Sequence, residues 1–103
     1  MNTTFRQTTK TAADTAARFL HLQDRRFYDA DGLPREGDHL EGDDIIRYQD
    51  GYIHSDDGPA IETVDCHLEF WQYGRLHRDD YRPAVIDDYG ETEEYWLDGE
   101  RIK

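Results

Sequence analysis

Acidic residues come in doublets and clusters: Asp56-Asp57, Asp79-Asp80 and Asp87-Asp88, followed by Glu91, Glu93 and Glu94. Carboxylates held at regular spacing on a rigid frame attract basic proteins and imitate a nucleic-acid backbone, whose charges recur about every 1.7 Å of duplex axis. The competing explanation is turn chemistry, since Asp starts turns and bonds its own backbone. Asp57-Gly58 and Asp98-Gly99 fit turns well. Glu91, Glu93 and Glu94 fit less well, because adjacent acids suit a strand poorly. His54 and His77 each stand two residues before an Asp-Asp pair, a combination able to ligate a metal. Their spacing matches no established ligand signature, so a turn-bracing hydrogen bond from each imidazole to the backbone is the expected role. Cys66 has no base and orienting group placed with it, so no nucleophile is expected. Phosphate loops and His-Glu-x-x-His patterns are absent. The sequence therefore implies no catalytic residue, metal ligand or cofactor. Trp71 and Trp96 would add a binding hot spot if both lie on an open sheet face beside the carboxylates.

These residues recur because the stretch that carries them is duplicated. Asp50–Gln72 and Tyr73–Leu97 align with Gly51 on Gly74, His54 on His77 and Asp56-Asp57 on Asp79-Asp80. Pro59-Ala60 falls on Pro83-Ala84, and Phe70-Trp71 on Tyr95-Trp96. The offset grows from 23 to 25 residues, and a third copy opens at Asp98-Gly99. A fixed repeat is the signature of stacked units. Equivalent side chains should then form ladders along one face of a sheet.

The pattern Gly-x-x-His-x-Asp-Asp-Gly-Pro-Ala, followed by an aromatic-Trp strand and a new Gly turn, resembles the MORN-like hairpin repeats of phage and bacterial proteins. The resemblance spans Gly32–Lys103 and implies stacked β-hairpins used as scaffolds and binding surfaces. The second copy departs from it at Tyr81-Arg82, which implies a wider turn. Small acidic phage proteins of this kind include anti-CRISPR inhibitors of bacterial defence.

The chain has 103 residues, 36% hydrophobic and 13% aromatic, which suits one domain and argues against a disordered acidic chain. No apolar run approaches the roughly 20 residues that span a bilayer, and no signal-peptide pattern is visible. The single cysteine excludes an internal disulfide and fits a reducing, cytoplasmic setting. The net charge of −12 is uneven: residues 1–35 carry +2 and residues 36–103 carry −14. Such a field repels nucleic acid and anionic membrane.

In chain order, residues 1–10 read as a frayed start. Thr11–Tyr28 reads as a helix: Thr11 and Asp14 can cap it, four alanines favour it, and Ala13, Ala16, Leu20 and Phe27 share a stripe. Gly32–Asp44 is a loop or a worn first repeat. From Ile45 onward strands alternate with turns, with Leu68, Phe70 and Gln72 on one face and His67, Glu69 and Trp71 on the other. The expected fold is α+β: one N-terminal helix packed on an antiparallel meander of about six or seven short strands.

The expected function is an acidic protein-binding inhibitor that occludes a basic, nucleic-acid-binding surface of a partner in a bacterial cell. Its contact residues would be Asp56, Asp57, Asp79, Asp80, Asp87, Asp88, Glu91, Glu93, Glu94, Trp71 and Trp96. The same chemistry serves an immunity protein or antitoxin against a basic nuclease. A hairpin-repeat scaffold, a homodimer through the C-terminal edge at Asp98–Lys103, and a small metal-dependent enzyme built on His54 and His77 are the other readings.

Overall fold

The computed structural model describes residues 15–103. Each repeat is built around a glycine turn that the sequence demands. Asp50-Gly51, Tyr73-Gly74 and Asp98-Gly99 have φ of 52° and 85°, 43° and 87°, and 48° and 85°. Two successive positive φ values are what a two-residue hairpin with right-handed strand twist requires. The turns close β2 (Asp44–Gln49) on β3 (Tyr52–Ile53), β6 (Trp71–Gln72) on β7 (Arg75–Leu76), and β10 (Trp96–Leu97) on β11 (Glu100–Arg101). Successive turns stack through one backbone bond each. Gly51 N–H donates to Arg35 O at 2.9 Å, Gly74 N–H to Ile53 O at 2.9 Å and Gly99 N–H to Leu76 O at 2.9 Å.

The remaining strands are β1 (Gly37–Glu41), β4 (Ile61–Glu62), β5 (Leu68–Glu69), β8 (Val85–Asp87) and β9 (Thr92–Glu94). Together with β2 and β3 they form a seven-stranded antiparallel sheet in the order β1-β2-β4-β5-β8-β9, with β3 beside β2, and the other two hairpins are separate two-stranded ribbons. Cross-strand partners share a face. One row across the sheet runs His39, Ile46, Ile61, Glu69, Val85, Glu94, and its neighbour runs Leu40, Ile45, Glu62, Leu68, Ile86, Glu93. In the first row Ile46, Ile61, Glu69, Val85 and Glu94 are buried, and with Tyr48, Trp71 and Trp96 they define the inner face. The expected alternation through His67–Gln72 holds: His67, Glu69 and Trp71 are buried, while Leu68, Phe70 and Gln72 are half-buried.

The helix expected over Thr11–Tyr28 is overturned. Residues 11–14 lie outside the described residues, and from residue 15 onward no helix of seven or more residues exists. What remains is a 3-10 turn at Leu20–Leu22 and a second at Asp88–Gly90. Over the described residues the fold is therefore an antiparallel sheet with eleven short strands, not α+β. The physical reason is where the backbone donors go. Ala16 and Arg18 N–H donate to the carboxylates of Glu94 and Glu69, both at 2.6 Å. Asp24 N–H donates to Gly74 O at 2.9 Å and Phe27 N–H to Gly51 O at 2.8 Å. Buried acceptors on the repeats outweigh an intrinsic helix preference of a few tenths of a kcal/mol per residue. Residues 15–27 thus form a strap that crosses the inner face and returns along the glycine turns. Its alanines let the strap lie flat, and Ala17 is part of the core.

Gly32–Asp44 proves to be structured. Tyr28 and Pro34 form an isolated bridge, and β1 pairs with β2 from Gly37↔Tyr48 to Glu41↔Asp44. Arg35 occupies the stacking position that Ile53 and Leu76 hold later, but it stands three residues after Gly32, whereas they stand two after Gly51 and Gly74. The turns also differ in what surrounds them. A Cβ added at Gly51 would meet Arg26 Cγ at 2.7 Å and Phe27 O at 2.8 Å, whereas one at Gly32 meets nothing within 4 Å. Gly32→Ala is expected to cost about 1–2 kcal/mol, the left-handed penalty alone. Gly51→Ala should cost clearly more, because the strap must shift as well. Urea unfolding of the two variants checks the order.

Candidate functional site

The exposed aspartates sit on equivalent loops. Asp56 and Asp57 follow β3, Asp79 and Asp80 follow β7, and all four are exposed. They line one groove of about 320 Å³ whose lining includes Phe70, Arg78 and Arg82. A second groove, of about 460 Å³, lies on the other side of Asp56-Asp57 and is lined by Asp38, Arg47 and Glu62 among others. Phe70, Arg47 and Glu62 belong to the face opposite the core row, so both grooves open on the outer face of the sheet. The Arg78 guanidinium lies 3.7 Å from the centroid of the Phe70 ring and donates to Pro83 O at 3.1 Å. Beside the inserted Tyr81-Arg82, Asp80 and Tyr81 both have positive φ, 63° and 55°.

His54 and His77 brace turns. His54 Nδ1 accepts the N–H of Tyr73 at 3.0 Å, so its proton is on Nε2, which donates to Asp56 Oδ1 at 2.8 Å. His77 repeats the arrangement with Asp98 N–H at 2.9 Å and Asp79 Oδ1 at 2.8 Å. Each histidine therefore locks the first residue of the next glycine turn to the aspartate loop of its own repeat. The equivalent position of the third hairpin is Ile102. Among the described residues no three His, Cys, Asp or Glu side chains converge as a metal-holding group. Cys66 is exposed, at a positive φ of 65° in the turn before β5.

Three residues expected at a binding surface lie elsewhere. Trp71 and Trp96 are 0% and 5% exposed, and Glu94 is 2% exposed. They belong to the inner face beneath the strap, where each repeat carries the same device. Trp71 Nε1–H donates to Glu69 Oε1 at 3.0 Å, and Trp96 Nε1–H to Glu94 Oε1 at 3.1 Å. The other oxygen of each glutamate takes a strap N–H, and Thr15 Oγ1 adds a bond to Glu94. Glu69 was not singled out in the sequence. The signal was available: Glu-x-Trp occurs at both equivalent positions, and period-2 alternation puts Glu and Trp on one face.

Asp87 is half-buried and tied into a second inner network. His67, fully buried, faces Asp87 Oδ1 at 2.9 Å through Nδ1 and Glu69 Oε2 at 2.7 Å through Nε2. Arg18 reaches Asp65 at 2.9 Å and Asp87 at 3.1 Å. Burial opposes the charge on His67, but the hydrogen bonds to the two carboxylates outweigh it and raise its pKa. The hydrogen bond from His67 holds Asp87 below the ordinary carboxylate range against partial burial. Hydrogen bonds from Arg18 and Thr63 lower Asp65 likewise. For His67, a pKa raised on folding contributes stability in full below the unfolded value near 6.5. That contribution is lost as pH rises through the higher folded value. Unfolding free energy is expected to fall from pH 6 towards pH 9, and the fall should flatten in His67→Gln.

Asp88 and Glu91 are exposed in the connection between β8 and β9, and Glu93 is exposed in the middle of β9, in the outer row. Among the described residues neither Asp57 nor Glu91 has a basic side chain paired with it. Asp56, Asp57, Asp79, Asp80, Asp88, Glu91 and Glu93 thus remain as an acidic surface bordering the outer face.

Among the described residues no helix is long and apolar enough to cross a membrane. No family model, no curated protein and no solved structure matches this chain.

Proposed function

We propose that the protein is an acidic binding protein that occupies the basic, nucleic-acid-binding surface of a partner protein. The observation that carries this is the pairing of Asp56-Asp57 with Asp79-Asp80 on equivalent loops around one groove. Repetition of a rigid unit sets their spacing, so the charges are held in place and lose little entropy on binding. Asp88, Glu91 and Glu93, exposed as well, extend the same field along the face. A surface of this sign steers a basic partner and repels nucleic acid and anionic lipid. The resemblance to MORN-like phage and bacterial repeats supports an inhibitor of anti-CRISPR type acting in the cytoplasm of a bacterial host. An immunity protein against a basic nuclease would use the same contacts.

The test is capture from bacterial lysate with tagged protein, washed at 0.1 M and then 1 M salt. Screening shortens from about 10 Å to about 3 Å between those salts, so contacts between exposed charges weaken. A basic nucleic-acid-binding protein held at low salt and released at high salt is the expected result. Asp57→Lys with Asp80→Lys should fail to capture it while unfolding at the same urea concentration. Undiminished capture by this double variant would sink the proposal.

A further inference from the structure

We propose that the outer row of the sheet is the contact centre of the acidic face, and that it fits a partner surface carrying an apolar strip edged by lysine and arginine. This rests on reading the acidic face as a protein-binding surface, and it adds where the affinity comes from. The row places Leu40, Ile45, Leu68 and Ile86 on one side of the sheet, interrupted by Glu62 and closed by Glu93. Leu40 is 74% exposed, and Ile45, Leu68 and Ile86 are half-buried. With strands about 4.8 Å apart, Leu40 to Ile86 covers about 19 Å. The strap covers the inner face, and none of its hydrogen bonds or ring contacts reaches this row. A half-open aliphatic strip of that length between charged borders has the anatomy of an interface centre with a polar rim.

The charges choose the occupant. At one end of the strands stand Asp56, Asp57, Asp79 and Asp80, which outnumber Arg78 and Arg82 (the latter 3.8 Å from Asp80), and at the other Asp88 and Glu91, with Glu93 in the row itself. Two copies stacked face to face about a two-fold axis would set these carboxylates against their own kind. Nucleic acid and anionic lipid meet the same repulsion. Only a partner whose apolar strip is bordered by cations satisfies both the row and its rim. Arg47, which bonds Glu62 at 2.5 Å and also reaches Asp38 at 3.3 Å, neutralises the middle of the row and leaves the ends acidic.

The experiment titrates 15N-labelled full-length protein with two probes of equal charge: an amphipathic leucine–lysine peptide with its leucines on one side, and an oligolysine. The leucine–lysine peptide is expected to bind at least tenfold more tightly and to shift the amides of Ile45, Leu68 and Ile86. Leu68→Asn with Ile86→Asn should remove that advantage and leave oligolysine binding unchanged. If that pair fails to fold, Leu40→Asn, on an exposed position, makes the same comparison with a smaller loss. Equal affinity of the two peptides, with shifts confined to the aspartate loops, would overturn the row while leaving the acidic face standing. Binding of neither peptide would overturn both. A dimer in sedimentation that Leu40→Asn dissociates would assign the row to a second copy and overturn the proposal.

Discussion

Replacing Glu69 by alanine should destabilise the protein by about 3–5 kcal/mol, the range for stripping one partner from a buried charged network. Glu69 is 0% exposed and accepts three hydrogen bonds: from Arg18 N–H, from His67 Nε2 and from Trp71 Nε1. Its removal leaves an imidazole held by Asp87 alone, an indole N–H with no acceptor, and a strap donor unmatched. Each is costly in a dry site. The strap loses one of its two buried carboxylate anchors, so local opening of residues 15–19 should accompany the loss. Urea unfolding gives the magnitude, and amide exchange at Ala16 and Arg18 shows the opening. A cost below about 1 kcal/mol would mean that the strap is held by its apolar contacts instead.

Trp71→Ala should be as damaging, at about 3–5 kcal/mol, because a fully buried indole leaves a cavity that two-residue strands cannot collapse to fill. Trp71→Phe separates the contributions. It keeps most of the volume and leaves Glu69 Oε1 short of one donor, so it should cost less than the alanine variant. Because Glu69 and Trp71 touch, the double variant Glu69→Ala with Trp71→Ala should cost less than the sum of the two. Additive losses would mean that the indole and the carboxylate act independently.

Much of the repeat was legible. Gly51, Gly74 and Gly99 announced the turns because a hairpin needs positive φ there, and all three have it. The alternation at His67–Gln72 separated inner from outer residues correctly. The histidines were legible as turn braces, since residues that recur with a repeat usually serve it. The strap was not legible. Its alanines carry a helical preference that holds in isolation, whereas the competing acceptors, Glu69 and Glu94, lie about 50 and 80 residues away in the chain. Those glutamates were hidden for the same reason. An acid on a strand next to other acids reads as surface until something covers it. Trp71 and Trp96 followed them inward, because Glu-x-Trp puts both side chains on the covered face. The outer row escaped notice because Leu40, Ile45, Leu68 and Ile86 sit on four hairpin-spaced segments, and the register that aligns them exists only in the sheet.

On the proposed function, the acidic outer face takes the place of nucleic acid on a basic partner. The most direct measurement is fluorescence anisotropy of a labelled DNA duplex bound to the captured partner, at 0.1 M salt, as this protein is added. Anisotropy should fall to the value of free DNA, and Asp57→Lys with Asp80→Lys should leave it unchanged. Anisotropy that stays high or rises, with protein and duplex held on the partner together, would contradict the claim.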